Sequence, residues 1–72
     1  MKIQLVSCDD VRPNSRNISK MLEEIAGLDD YDARDMTDNL LDGSPVEIEV
    51  TVNTSSAFRA LRKLKIDYEI LD

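Results

Sequence analysis

The segment Val46-Glu47-Ile48-Glu49-Val50-Thr51-Val52 decides the fold. Val46, Ile48, Val50 and Val52 alternate with Glu47, Glu49 and Thr51. A period of two is the period of a strand, with one face in a core and the other in water. The alternation predicts a strand across residues 46–52. Asn53 or Thr54 then caps a helix whose apolar stripe is Ala57, Phe58, Leu61 and Leu64. Ile66, Tyr68 and Ile70 alternate with Asp67 and Glu69 in a last short strand. Two strands joined through one helix run parallel by the right-handed crossover rule.

On the N-terminal side, helical spacing replaces alternation. Ala33, Met36, Thr37, Leu40 and Leu41 form one stripe, with Thr37 its only polar member, and Gly43 ends it. Asp29 or Asp30 is its N-cap. Ile18, Met21, Leu22, Ile25 and Ala26 form the stripe of an earlier helix, capped by Asn14 or Ser15. Gly27 ends that helix, with Leu28 placed for a Schellman contact. Lys2 to Cys8 is a first strand, followed by a loop that Pro13 keeps out of any central strand.

The predicted fold class is α+β, in the order β-α-α-β-α-β. Three helices lie on one face of a three-stranded sheet of order 2-1-3, with strand one antiparallel to both neighbours. Met21, Leu22, Ile25, Met36, Leu40, Ile48, Val50, Leu61 and Leu64 are the expected core. Phe58, the only Phe, is the expected anchor of the third helix.

The 72 residues are read as a single domain, 1–72. Of these, 42% are hydrophobic and 33% charged, which rules out disorder by composition. No apolar run reaches the ~18 residues of a membrane span. A single cysteine, Cys8, excludes an internal disulfide, so a cytoplasmic setting is expected. There is no His and no Trp, which removes the commonest general base and metal ligand and the best stacking surface.

The net charge of −6 is unevenly spread. Residues 23–49 hold ten acids against one base, Arg34, whereas residues 53–66 hold Arg59, Arg62, Lys63 and Lys65 and no acid. The acidic stretch argues against nucleic-acid binding, which needs clustered cations. Asp29, Asp30, Asp32, Asp35, Asp38 and Asp42 lack the ligand order of a calcium loop and lie on a predicted helix. They read as a solvated face. Cys8 has no histidine to activate it and reads as a packing residue. No cofactor, metal or catalytic residue is expected, and the chain reads as non-catalytic.

The stretch Gly27-Leu28-Asp29-Asp30-Tyr31-Asp32-Ala33-Arg34-Asp35-Met36 resembles the C-terminal domain of the bacterial ribosomal stalk protein. That family shows Gly-Leu, a short gap, then acid-Ala-Lys-Asp-Leu. Pro45 and Val52-Asn53 stand where it has a Pro before the next strand and Val-Ser before the last helix. The family recruits translation factors through a partly basic face on its first two helices. On this resemblance Lys20 and Arg34 match family cations, Asp32 matches a family Glu, and Gly27 matches the turn glycine. Ser15 and Glu23 fall where the family is basic. No dimerisation domain or hinge precedes the match, so the chain looks like a stand-alone relative and is expected to be a monomer.

Leu5-Val6-Ser7-Cys8-Asp9-Asp10 is similar to the first strand and Asn-Asp-Asp exit of the ClpS-type protease adaptors, which share this fold and hold a substrate's N-terminal residue. Cys8 replaces their Asn and Leu40 their His, so Asp9 and Asp10 alone carry over. The implied function is a small protein-interaction module whose partner is another protein. The alternatives are an acidic phage-type inhibitor or nucleic-acid mimic that blocks a basic host protein, and an adaptor for substrate N-termini.

Overall fold

The computed structural model describes residues 1–71. Its elements are β1 (Lys2–Cys8), α1 (Ser15–Ala26), α2 (Asp30–Leu41), β2 (Val46–Glu49), α3 (Thr54–Lys63) and β3 (Ile66–Ile70). β1 lies between β2 and β3 and is antiparallel to both. The order β-α-α-β-α-β, the 2-1-3 sheet and the α+β class are those expected from the sequence.

The helix boundaries follow from capping chemistry. The side chain of Asn14 accepts from the Asn17 N–H at 3.1 Å, and that of Asp29 from the Asp32 N–H at 2.7 Å. Asn53 accepts from both Ser55 and Ser56. Each cap satisfies N–H groups that a first helical turn leaves without partners. Gly27, at φ +65°, closes α1 in the left-handed region, and its N–H donates to the Glu23 carbonyl. Thr51, from beyond β2, takes the Ile25 carbonyl with its N–H at 2.8 Å and its hydroxyl at 3.3 Å.

That contact explains why β2 is shorter than its alternation. The expected strand 46–52 ends at Glu49, which pairs with Lys2 at the start of β1. Val50 still donates to the Met1 carbonyl, but Thr51 then turns away to cap α1. Val52 is 42% exposed and belongs to no strand.

The inner sheet face carries Ile3, Leu5, Val46, Ile48 and Ile66, all buried. Ile18, Met21, Leu22, Ile25, Ala33, Leu40, Ala57 and Leu61 pack over them from the three helices. The opposite face presents Glu47, Glu49, Asp67 and Glu69 to solvent. One irregularity separates the two halves of the β1–β3 ladder. Leu5 pairs with Tyr68 but Ser7 with Asp67, so Val6 is an extra residue on β1. The bulge brings Cys8 onto the face of Ile66, its partner.

Four packing expectations change. Phe58 is not the deep anchor of α3: it is half-buried and stacks on Tyr68, with ring centroids 5.0 Å apart and planes 7° apart. Ala57 and Leu61, both fully buried, seat the helix. Met36 and Leu64 are only partly buried against the core, and Leu41 is exposed. The small Ala57 lets α3 approach the sheet closely, which leaves the neighbouring ring at the margin.

Candidate functional site between the first two helices

The two amphipathic helices α1 and α2 form an antiparallel hairpin joined by the tight Gly27-Leu28-Asp29 link. Inside the hairpin lies one polar contact. Thr37 donates its hydroxyl to the Ala33 carbonyl at 2.7 Å, and Ser19 Oγ lies 3.2 Å from Thr37 Oγ1. Thr37 has one hydroxyl hydrogen and has spent it, so Ser19 is the donor between them. Both residues are buried, and the pair satisfies itself without solvent. It pins the helices together at the floor of a surface groove.

The groove is open, about 570 Å³, and is lined by Ser15, Arg16, Ser19, Lys20 and Glu23 from α1 and by Asp30, Arg34 and Asp38 from α2. The two cations singled out by resemblance, Lys20 and Arg34, thus line the same groove from opposite helices. Arg16 joins them; nothing in the sequence marked it, although its position four residues before Lys20 puts both on one helix face. Arg34 makes an i,i+4 contact of 3.3 Å from Nε to Asp30 Oδ1. Both partners are largely exposed, so the pair contributes about 0.5 kcal/mol or less. Arg34 is therefore only weakly committed to its own helix. Glu23, Asp30 and Asp38 share the walls with the three cations. The groove is walled by polar and charged residues of both signs, a surface for polar protein contacts.

The remaining predicted residues lie elsewhere. Asp32 is exposed on α2 but does not line the groove, and Gly27 sits at the hairpin turn beyond its end. Asp9 and Asp10 follow β1 at the far end of the ladder. The Asp9 backbone N–H donates to the Lys65 carbonyl at 2.8 Å, while the Asp10 side chain accepts from the Arg12 N–H at 3.2 Å. A side-chain hydrogen bond with Asp67, reinforced by its like charge, raises the Asp9 carboxyl above its ordinary value, partly countered by Ser7. Ser7 Oγ also donates to Asp67 Oδ2 at 3.3 Å. Asp9 is thus paired with a carboxylate from β3. Cys8 is half-buried, with Sγ 3.5 Å from the Leu64 carbonyl.

A shallower groove of about 280 Å³ runs between α1 and α3, lined by Asn17, Lys20, Met21, Glu24, Ala60, Lys63 and Leu64. Lys20 borders both grooves. Among the described residues no helix is long and apolar enough to cross a membrane, and no three metal-ligating side chains cluster. No protein-family model and no curated protein matches the chain.

Proposed function

We propose that this protein is a non-catalytic interaction module that docks another protein along the α1–α2 groove, in the manner of the ribosomal stalk C-terminal domain it resembles. The observation that carries the reading is the convergence of Lys20 and Arg34 on one groove from two helices. The hairpin beneath them is held by the buried Ser19–Thr37 hydrogen bond, so the helices that carry both cations are already in place before a partner binds. Preformed geometry of this kind lowers the ordering cost of binding.

The test is affinity capture with identification of the captured protein, run in parallel with a Lys20→Glu/Arg34→Glu variant and with Asp9→Asn. The reading expects one identified partner retained by wild type and by Asp9→Asn and lost with the double variant. Capture that survives in the double variant and is lost with Asp9→Asn would instead favour the adaptor reading. A second reading has its own support: Asp30, Asp32, Asp35 and Asp38 are all exposed along α2, the display expected of an acidic inhibitor of a basic protein. In that case the captured partner is a nucleic-acid-binding protein, and Lys20→Glu/Arg34→Glu strengthens capture.

A further inference from the structure

A three-stranded sheet has two edges, and here they differ. Hydrogen bonding in an antiparallel ladder alternates, so half the residues of each edge strand point their backbone groups outward. Val50 bonds Met1, which places the β2 bonds to β1 at Ile48 and Val46 and leaves the N–H and C=O of Glu47 and Glu49 at the outer edge. That edge is four residues long, follows Pro45 and ends where Thr51 turns to α1. Short length and flanking proline blunt it.

At the other edge, Leu71 donates to Lys2 and Asp9 donates to Lys65. With the register of the ladder, these bonds assign Glu69 and Asp67 to β1 and direct the backbone groups of Ile66, Tyr68 and Ile70 outward. Three successive donor–acceptor positions stand along β3 with no proline, glycine or bulge of its own. Ile70 is 54% and Leu71 46% exposed at its end, with the half-buried Tyr68 beside them. On the solvent face the same strand shows Asp67 and Glu69, beside Asp9.

We propose that the β3 edge accepts an extended segment of a partner protein as a fourth, antiparallel strand. The segment carries Lys or Arg at alternate positions to face Asp67 and Glu69, and apolar residues between them to cover Tyr68 and Ile70. Charge selects this occupant over a second copy of the chain. Every hydrogen-bonded antiparallel register, which must pair the outward residues Ile66, Tyr68 and Ile70 with one another, and which joins three or more β3 residues to their copies, sets Asp67 or Glu69 against an acid of the copy, which destabilises the pair. A basic strand turns the same positions into cross-strand ion pairs. The surface is separate from the α1–α2 groove and does not depend on it.

The probes are two short blocked peptides, one alternating lysine with valine and isoleucine, the other with glutamate in place of each lysine. Binding is followed by amide shifts and hydrogen exchange of the whole protein. The lysine peptide is expected to slow exchange at Ile66, Tyr68 and Ile70 and to leave Arg16, Lys20 and Arg34 unmoved. The glutamate peptide should bind about tenfold or more weakly, the equivalent of one lost favourable contact. Ile70→Pro deletes an outward N–H that makes no bond to β1, so the fold persists while docking falls by about tenfold. Should Ile70→Pro unfold the domain, Asp67→Lys/Glu69→Lys serves instead and should reverse the preference between the two peptides. Unchanged exchange at all three residues with millimolar lysine peptide would overturn the proposal, as would equal binding of the two peptides.

Discussion

At the scale of single residues, two positions carry strain or repulsion. Lys65 adopts φ +58°, a left-handed conformation that costs an L side chain about 1 kcal/mol, to turn the chain from α3 into β3. Its carbonyl, not its side chain, is bonded to Asp9. Lys65→Gly is expected to raise stability by about 0.5–1 kcal/mol, after the larger unfolded-state entropy of glycine is allowed for. A lower urea midpoint would contradict the strain. The second position is Asp9, whose carboxyl Asp67 raises above 3.8. The folded state holds this proton more tightly than the unfolded state, so the linked stability is complete below 3.8 and fades as pH rises through the raised value. Asp9→Asn should therefore have the higher midpoint at pH 7, and the difference should shrink by pH 3. A difference independent of pH would mean that Asp67 is not the cause.

The elements were legible wherever local chemistry sets them. Asn14, Asp29 and Asn53 are caps because a short side-chain oxygen reaches the first-turn N–H groups, and Asp29→Ala is expected to cost about 1 kcal/mol by thermal or urea melt. The end of β2 was not legible, because Thr51 is diverted by Ile25, a residue twenty-six positions earlier. Nor was the bulge at Val6, which shows only against β3. Helix periodicity ranked α3 wrongly for the same reason: stripe membership does not say which member the sheet approaches. Leu61 is fully buried and Phe58 is not. Leu61→Ala should cost about 2–5 kcal/mol, enough to unfold most of so small a domain. Phe58→Ala should cost less, about 1.5–3 kcal/mol, from partial burial and its stack on Tyr68. Melts in the reverse order would place Phe58 as the anchor after all.

For the molecule as a whole, strand order followed from one crossover helix and the need to cover every apolar face once. Of the eight residues that line the groove, the resemblance marked two, Lys20 and Arg34. Their meeting across a groove was not readable, because it depends on the crossing of two helices and on the buried Ser19–Thr37 contact. Arg16 was missed because a lone cation on a solvated face carries no signal until the opposite wall is in place. Asp32 shows the converse: a matching residue in sequence lies outside the groove its neighbour Arg34 lines. The groove and the β3 edge lie on different elements, α1–α2 and β3, so their occupants are separable by mapping. The decisive measurement is amide chemical-shift mapping of the isotope-labelled protein with the captured partner. The proposed function predicts that the largest changes fall on Ser15, Arg16, Ser19, Lys20, Arg34 and Asp38, and that they vanish with Lys20→Glu/Arg34→Glu. Changes centred on Asp9 and Asp10, with α1 and α2 silent, would contradict it.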